Sequence, residues 1–345
     1  MINLPKVSIV VPTLNAASVL RFCLESIDSQ DYPKEKVEII VADGGSIDDT
    51  LAIAAKFGAK IVKNDLKTAE AGKAVGVGAA GGELIALVDS DNILPTNTWL
   101  QEMVGPLMKE PAAVGSEPWK YTWRKKDGFI TRYCALIGMN DPFVHFLGNY
   151  DRVNLLTGKW TEVARDEQDK GSYLLVKFNS TNLPTIGANG TVFRTQFLKE
   201  NLRGSYLFDI DILASYIKKS GAAVFIKVKN GIIHTYCERD IGKFARKQRR
   251  RVRDYLFHRN VDNREYEWRL VDVSSRSFKA VVIFVFYCLT FFPLVIQTIR
   301  GYMKKKDSAW FFHPLACLVT LWEYSLGTLV SVFNNAELSR KEWKQ

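Results

Sequence analysis

Two aspartates one residue apart, Asp89 and Asp91, directly follow the apolar run 83–88. A short aliphatic run predicts a buried strand, so both carboxylates would lie where that strand ends. Their hard oxygens suit Mg²⁺ or Mn²⁺ bound to a diphosphate. In an arbitrary loop this triplet would more often be a simple turn, but its position after a buried strand favours a metal and diphosphate site at Asp89, Ser90 and Asp91.

A third carboxylate, Asp43, closes the apolar run 37–42 and is followed by two glycines. A carboxylate at a strand end can accept a hydrogen bond from a nucleobase, and glycine lets the backbone approach a ligand closely. Alternatively, the glycines only turn the chain, and Ser46 or Asp48 caps the next helix. Capping does not account for Asp43, which we interpret as a base-binding residue.

These side chains need elements that bring strand ends together. Apolar runs alternate with segments of helical spacing: we predict strands at 7–11, 37–42, 59–62 and 83–88, and helices at 16–30, 48–57 and 69–80. This alternation predicts an α/β fold with a mostly parallel sheet flanked by helices. Such sheets bind ligands at the carboxyl ends of their strands.

The alternation is lost after residue 99. We interpret 111–184 as an insertion or lid on the acceptor side, partly helical near 129–139, because a loop this long in a compact domain is usually functional. Regular structure is predicted to return at 188–197, 208–219 (helix) and 223–228 (strand).

Taken in order, three segments resemble the family 2 inverting glycosyltransferases, which have the Rossmann-like GT-A fold. Residues 7–15 (VSIVVPTLN) are similar to the opening strand and Pro-Thr-x-Asn turn of the family. Residues 43–50 (DGGSIDDT) are similar to its D-G-S-x-D-x-T segment with one extra glycine, and 89–91 to its D-x-D site. The resemblance covers roughly residues 7–221.

The resemblance implies a nucleotide-sugar site with Mg²⁺ or Mn²⁺ as cofactor. The implied donor-binding residues are Pro12, Thr13, Asn15, Asp43, Gly44, Lys73, Asp89, Ser90 and Asp91. Lys73 falls where the family often has a basic residue near the diphosphate. His234, after the run 231–233, is a candidate third metal ligand beside Asp89 and Asp91, although such a histidine is more often simply packed.

The acceptor side is also implied by the resemblance. Residues 186–194 (IGANGTVFR) are similar to the G-x-N acceptor segment, which assigns Gly187 and Asn189 to the acceptor. Asp209 stands at the position of the general base, with Phe208 replacing the usual Glu, and Asp211 is the alternative. A carboxylate in a partly desolvated pocket can take the proton of an acceptor hydroxyl. The competing interpretation is that Asp209 only caps the following helix.

Gln248 and Arg251 resemble the first and last polar positions of the Q-x-x-R-W element of processive members, which suggests contact with the acceptor. Val252 stands where that element has Trp. This departure argues against a processive polymer synthase.

The 345 residues carry 47 Lys and Arg against 37 Asp and Glu, a formal charge of +10 that favours phosphate, nucleic acid or an anionic membrane as a partner. Eight basic residues and one acid lie in 239–253, directly before apolar segments. We therefore predict a basic amphipathic membrane-surface segment at 236–277. No nucleic-acid recognition module is visible, so we expect no nucleic-acid partner.

Two apolar stretches, 280–299 and 309–333, follow the basic segment, and we predict a hydrophobic helical hairpin over 278–335. The first is about 30 Å long as a helix, just enough to cross a bilayer. If both crossed, Arg300 and Lys304 to Lys306 would lie outside, against the positive-inside tendency. Spanning and in-plane arrangements both remain open.

The five cysteines are scattered and never spaced as C-x-x-C, which favours a reducing compartment over a disulfide framework. The first residues run straight into an apolar strand, so we expect no secretory signal peptide. We predict a catalytic domain at 1–235 on the cytoplasmic face of the cell membrane.

The sequence thus predicts a glycosyltransferase that moves a sugar from a UDP or GDP sugar to a lipid-linked acceptor, either a polyprenyl phosphate or a lipid-linked oligosaccharide. A sugar nucleotidyltransferase would have a basic glycine-rich loop directly after the first strand, where Pro12 to Asn15 stand instead. A non-catalytic membrane-bound nucleotide-binding scaffold would lack one of the acidic sites, whereas Asp43, Asp89, Asp91 and Asp209 are all present.

Overall fold

The structure is a computed structural model that describes residues 4–261, 266 and 276–333. The described chain divides into two compact units. The sheet unit comprises residues 4–119 and 164–234, and the helical unit comprises 120–163 together with the described residues from 235 onward. Residues 120–163, which we expected within a catalytic domain of 1–235, therefore group with the C-terminal helices.

The described residues form a ten-stranded sheet in the order β3-β2-β1-β4-β9-β6-β10-β8-β7, with β5 paired to β10. The strands are β1 Val7–Thr13, β2 Val37–Asp43, β3 Lys60–Lys63, β4 Leu84–Leu87, β5 Asn92–Ile93, β6 Ala113–Thr122, β7 Glu167–Asp169, β8 Tyr173–Phe178, β9 Thr191–Arg194 and β10 Ala223–His234.

Helices of the described chain connect the strands and form the helical unit. They are α1 Ala17–Asp28, α2 Thr50–Lys56, α3 Ala69–Ala79, α4 Trp99–Lys109, α5 Phe129–Ile137, α6 Pro142–Leu147, α7 Thr195–Asn201, α8 Asp209–Ser220, α9 Ile241–Val261, α10 Arg276–Thr290, α11 Phe292–Lys304 and α12 His313–Phe333. Two short 3₁₀ helices lie at Lys34–Lys36 and Ser308–Phe312.

The first four strands of the sheet, β3-β2-β1-β4, are parallel. The β1–β2 register ends on the pair Thr13 and Asp43, so both residues reach the carboxyl edge together. Beyond β4, β9 pairs antiparallel with β4 and β6, and β8 pairs antiparallel with β7 and β10. The α/β fold class is thus confirmed, but the sheet is mixed instead of mostly parallel. The regular helix crossovers that parallel pairing requires are lost after residue 99.

The stretch 111–184 differs from the single insertion that we expected. It contains β6, β7 and β8 of the sheet, while its expected helix is present as α5. β6 pairs with β9 through Gly115 and Ser116 and lies between β9 and β10 in the sheet, although Pro118 is within it. Proline argues against a central strand because it has no backbone N–H to donate to a neighbouring strand. For this reason the sequence pattern did not predict β6.

Close packing of α3 on β1 sets the position of one side chain in the site. A Cβ atom on Gly76 would overlap Val10 Cγ1, and one on Gly72 would lie 2.9 Å from Pro12 Cβ. Glycine at these two positions lets the helix backbone lie directly on the strand. Lys73, between them in sequence, is thereby held close to the sheet.

The first apolar stretch of the predicted helical hairpin of 278–335 forms two helices instead of one, and residues 334 and 335 of that prediction lie outside the described residues. The apolar stretch 280–299 is broken at Phe291, whose φ is +62°, and α10 and α11 meet there at 94°. Pro293 lies in the first turn of α11 and cannot donate a hydrogen bond back to α10. A continuous helix through this stretch is therefore not formed.

Within the described residues, length and composition would allow one helical segment, Ser308–Phe333, to cross a membrane. The bent pair α10 and α11 would add a second only if both helices were counted as a single span. These criteria also admit the core helix of a soluble protein.

A chain of polar side chains runs through the interior of the helical unit. The Tyr133 hydroxyl donates to His313 Nδ1 at 2.7 Å, and His313 Nε2 donates to Gln297 Oε1 at 3.0 Å. The Gln297 amide then lies 3.1 Å from His145 Nε2. Burial lowers the pKa of His145 to about 4, partly offset by Glu162, so this imidazole is neutral near pH 7.

This arrangement predicts acid sensitivity of the helical unit. In the unfolded chain His145 takes up a proton near pH 6.5, whereas in the folded chain it does so only near pH 4. Stability is therefore lost as pH falls from 6.5 towards 4. Thermal unfolding followed by circular dichroism should show a smaller loss of Tm over this range in His145→Gln than in the unchanged protein. Equal slopes would contradict the assignment.

Candidate active site

The loops after β1 and β2 are joined by the carboxylate of Asp43. Its Oδ1 accepts from the Thr13 hydroxyl at 2.9 Å and from the Ser46 hydroxyl at 2.5 Å. Its Oδ2 accepts from the backbone N–H groups of Gly45 and Ser46, both at 2.8 Å. Four hydrogen bonds occupy the acceptor positions of a carboxylate, so Asp43 holds the turn in shape in this structure.

Asn15 closes the same pair of loops from the other side. Its backbone N–H donates to Ser46 Oγ at 2.8 Å, and its Oδ1 accepts from the Ile47 N–H at 2.9 Å. Its φ is +49°, a conformation that asparagine tolerates better than most residues. Gly44 donates its N–H to the Thr13 carbonyl at 2.8 Å. The structure therefore brings Thr13, Asn15, Asp43 and Gly44 together, whereas buried Pro12 packs against α3.

A second group of predicted residues meets at Lys73. Its Nζ lies 3.6 Å from Asp89 Oδ1 and 3.9 Å from Asp209 Oδ2. Lys73 is only 6% exposed, and the two acidic side chains are largely buried. The site thus joins a carboxylate of the D-x-D segment to the candidate base through one buried ammonium.

The two kinds of charge in this group shift each other's titration. Burial disfavours the charged form of Lys73, but the carboxylates of Asp89 and Asp209 outweigh it and raise the pKa of Lys73 above its usual value. Burial raises the pKa of Asp209 to about 6, with Lys73 opposing and Asp89 reinforcing that shift. A carboxyl group with this pKa is poised to accept a proton near neutral pH.

Helix capping does not explain Asp209. It is the first residue of α8, whose N-cap position is Phe208, and no side-chain capping hydrogen bond forms there. Among the described residues no donor reaches the buried Asp209 Oδ1 within hydrogen-bond distance. Asp211 lies in the same first turn. The approach of Lys73 to Asp209 is consistent with Asp209 as the base, and the choice between Asp209 and Asp211 stays a prediction.

The next strand ends bring Asp91 to His234. Asp91 Oδ1 lies 3.2 Å from His234 Nε2, because β5 pairs with β10 in a register that sets Asn92 opposite His234. Both side chains are buried or nearly so. Ser90 is also buried, at 1% exposure.

The donor set at these strand ends fits a divalent cation. Within the part of the chain that the structure describes, no group of three His, Cys, Asp or Glu side chains is arranged to hold a metal ion. The site instead offers the Asp91 and His234 pair and a buried Asp89 Oδ1 that accepts no hydrogen bond from a described residue. Mg²⁺ is commonly bound by one or two carboxylates together with substrate phosphates, so an all-protein cage is not required. The three-residue ligand set remains a prediction.

The acceptor segment reaches the same region through Asn189. Asn92 Nδ2 donates to Asn189 Oδ1 at 2.9 Å, and Asn92 Oδ1 accepts from the Asp89 N–H at 3.0 Å. Gly187 contributes its carbonyl oxygen to the Thr191 hydroxyl. Asn189 is therefore brought to the D-x-D turn, while Gly187 shapes its own loop.

Gln248 and Arg251 lie on α9 in the helical unit. The Gln248 amide donates to the Asn140 carbonyl at 2.8 Å, and Arg251 donates to Gln248 Oε1 at 2.6 Å. Gln248 is fully buried, so it orients Arg251 and the Asn140 backbone in this structure. A role for either residue at the acceptor remains a prediction.

Sequence reasoning missed two residues of the site. Ser46 was considered only as a helix cap, yet it bonds both Asp43 and Asn15, and the N-cap position of α2 is Asp49. No role was predicted for Asn92, although a polar residue directly after the D-x-D triplet could have signalled a turn bond. Its contact with Asn189 depends on the pairing of distant segments.

Residues 8–159 match the family model described as glycosyl transferase family 2. Glycosyltransferase AglE of Haloferax volcanii is 32% identical over 111 residues, which are 30% of this chain and 36% of that protein. Dolichyl N-acetyl-alpha-D-glucosaminyl phosphate 3-beta-D-2,3-diacetamido-2,3-dideoxy-beta-D-glucuronosyltransferase of Methanococcus voltae is 47% identical over 47 residues, 14% of this chain and 15% of that protein. The chain therefore spans about a third or less of the length of these relatives.

One solved structure resembles nearly the whole chain. The mannosyltransferase PcManGT from Pyrobaculum calidifontis, in complex with GDP-Man and Mn²⁺, has a TM-score of 0.52 and 13% identity. The match covers 94% of this chain and 88% of that one. At this identity the likeness concerns the fold alone, and it confirms the predicted GT-A fold class.

The hydrogen bonds of Asp43 predict that Asp43→Asn destabilises the sheet unit. The amide would set an N–H group against donors that now point at a carboxylate, and we expect a loss of about 1–3 kcal/mol in the free energy of unfolding. Urea denaturation measures this loss. The matched control is Asp49→Asn, an exposed carboxylate of the same segment that makes no capping bond, which should change stability by less than about 0.5 kcal/mol. Equal effects of the two variants would contradict the role given to Asp43.

Proposed function

We propose, from the match of residues 8–159 to glycosyl transferase family 2, that the chain is an inverting hexosyltransferase of that family. It moves a sugar from a UDP or GDP sugar to a lipid-linked acceptor. The observation that carries this proposal is the buried group in which Lys73 lies between Asp89 and Asp209. That arrangement links the donor-side carboxylate to a base of raised pKa.

The nucleoside is held by the paired loops after β1 and β2. The Asp43 carboxylate fixes the turn of Gly44 to Ser46, and Asn15 fixes the facing loop. A loop held by several hydrogen bonds presents its backbone groups in one arrangement, which lowers the entropy lost on binding. Lys73 places a positive charge near the departing diphosphate.

A divalent cation, when bound, would neutralise the leaving nucleoside diphosphate as a Lewis acid. The residues that would hold it are Asp91, His234 and Asp89. Asp91 and His234 are in contact, and Asp89, two residues before Asp91, has a buried Oδ1. Mn²⁺ in PcManGT supports the proposal of Mg²⁺ or Mn²⁺ for this chain.

Transfer proceeds by one displacement at the anomeric carbon. The acceptor oxygen forms a bond to that carbon while the bond to the diphosphate oxygen breaks, which inverts the configuration. The proton of an acceptor hydroxyl passes to Asp209, whose ionised form is available above about pH 6. A lipid phosphate acceptor is already anionic, and for such an acceptor Asp209 orients the oxygen and contributes less to the rate.

The proposed position of the chain is the cytoplasmic face of the cell membrane. Two observations support a lipid-linked acceptor and membrane association: the described chain carries an apolar helical segment, Ser308–Phe333, and the name of the Methanococcus voltae relative specifies a dolichyl-linked sugar phosphate. Membrane lipids are accordingly proposed as partners of the helical unit.

Incubation of the full chain with a panel of UDP and GDP hexoses, Mn²⁺ or Mg²⁺ and a membrane lipid extract should yield hexosylated lipid, detected by mass spectrometry. Chelation with EDTA should abolish transfer, and added metal should restore it. Asp91→Asn should lower the rate strongly, because a neutral amide is a poor ligand for a hard cation.

The control for that experiment is Asp65→Asn, a surface carboxylate paired with Lys63 and outside the site. It should transfer sugar at the unchanged rate. Transfer that survives Asp91→Asn would contradict the metal assignment, and the absence of transfer from every donor would overturn the proposed activity.

With a hydroxyl acceptor, kcat/KM should fall as pH drops below about 6, because Asp209 must be ionised to take the proton. Asp209→Asn should lower kcat by about 10²–10⁴-fold at neutral pH. Lys73→Met should move the acidic limb of the profile to higher pH, since Lys73 lowers the pKa of Asp209.

Asp211→Asn serves as the comparison within the same helical turn. A larger loss for Asp211→Asn than for Asp209→Asn would transfer the role of base to Asp211. A profile without an acidic limb, measured with a hydroxyl acceptor, would contradict the assignment of either residue.

A further inference from the structure

Each of the three C-terminal helices exposes a stripe of large apolar side chains. On α10 the stripe follows helical spacing through Phe278, Val282, Phe286 and Leu289. Six side chains of the helical unit define what we call the apolar face, each more than half exposed: Phe286, Leu289, Phe292, Met303, Phe311 and Trp322. Exposed apolar surface on this scale marks an interaction site.

The opposite side of α12 is committed to the helical unit itself. Its buried residues follow the spacing of one helix face: His313, Pro314, Ala316, Cys317, Thr320, Glu323 and Gly327. From His313 to Gly327 this buried side is about 21 Å long. Contacts at both ends and in the middle hold this side against the helical unit. Only the other sides of α12 could therefore face lipid.

The partner of α12 along much of that side is the basic helix α9. Arg249 forms a two-pronged ion pair with Glu323, at 2.6 and 3.0 Å. A Cβ atom on Gly327 would overlap Val252 of α9, so the two helices are in direct contact one turn further along. If α12 crossed a bilayer, α9 and its arginines would enter the hydrocarbon with it, which is unfavourable for charged guanidinium groups.

The other two helices are too short to cross. At 1.5 Å per residue, α10 is about 22 Å long and α11 about 20 Å, against a hydrocarbon thickness of about 30 Å. They meet at 94°, so they do not add up to one span. The corner itself is apolar and outward, with Leu289 77% and Phe292 69% exposed.

Charge indicates which surface covers the apolar face. Residues 276–333 contain six Lys or Arg and two acids. Both acids are paired inside the helical unit, Asp307 with Arg132 and Glu323 with Arg249. The lysines at 304, 305 and 306 are exposed at the end of α11. An apolar face bordered by cations is complementary to an anionic lipid leaflet.

We infer that α10, α11 and α12 lie in the plane of one anionic membrane leaflet, with the apolar face inserted, and that none of them crosses the membrane. This inference deepens the membrane association included in the proposed function. It does not depend on glycosyl transfer, because it rests on the packing and charge of the helical unit.

Cysteine accessibility in the full chain tests the topology. The five natural cysteines are buried, which keeps the background low in the unchanged protein. Lys304→Cys and Gln345→Cys place one new thiol before and one after the segment Ser308–Phe333. Both variants are expressed in cells, and sealed membrane vesicles with the cytoplasmic face outward are treated with a membrane-impermeant maleimide before and after detergent.

In-plane helices leave both thiols on the outer side, so both should be labelled without detergent. Labelling of Lys304→Cys alone before detergent would show that α12 crosses and would overturn the inference. Protection of both thiols until detergent is added would overturn it as well. None of these readouts requires activity, so failure of the topology is distinguishable from failure of the proposed transfer.

Vesicle binding of the purified full chain tests whether an anionic lipid leaflet covers the apolar face. We expect sedimentation with vesicles of phosphatidylcholine and phosphatidylglycerol, and weaker binding to phosphatidylcholine alone. Phe292→Ser should weaken binding about tenfold, while Phe22→Ser, a half-exposed phenylalanine of the sheet unit, should not. Equal binding to both vesicle types, or a stable dimer by light scattering that Phe292→Ser dissociates, would overturn the choice of an anionic leaflet.

Discussion

The charge balance around Lys73 is the interaction on which the active site depends. Two largely buried carboxylates, Asp89 and Asp209, approach the same region, and like charges in a buried site disfavour each other's ionised form. The ammonium of Lys73 lies within 4 Å of both carboxylates, and its positive charge offsets their mutual repulsion. Its position depends on the glycines of α3, which let the helix lie on β1. Burial outweighs the opposing effect of Lys73 and keeps the pKa of Asp209 raised, as a base that works near neutral pH requires.

The role of Asp43 illustrates how hydrogen-bond capacity limits interpretation. Its type and position suggested direct recognition of a nucleobase, yet its oxygens already accept four hydrogen bonds from Thr13, Gly45 and Ser46. In this structure the carboxylate organises the loop, and its direct contact with a nucleobase stays a prediction. The same reasoning applies to Gln248, whose buried amide is engaged by Asn140 and Arg251.

The helical unit combines apolar composition with polar internal contacts. Tyr133, His313, Gln297 and His145 form its buried polar chain, and the Arg249 and Glu323 pair joins α9 to α12. Hydropathy alone describes α12 as a possible span, because it averages over all sides of the helix. The side-specific distribution of polar contacts distinguishes a helix that lies on a leaflet from one that crosses it.

The sequence by itself determined the first half of the sheet, the resemblance to family 2 and the order of the acidic motifs, because periodicity and strand-end residues report an element's own environment. It also predicted a helix at 208–219, which the structure contains as α8, and the assignment of Asp209 as the base stays a prediction. Only the tertiary structure decided that β6, with its Pro118, belongs to the sheet, that Lys73 joins Asp89 to Asp209, and that Asn92 meets Asn189. These relations join segments far apart in the chain, and their geometry depends on packing that no local pattern encodes.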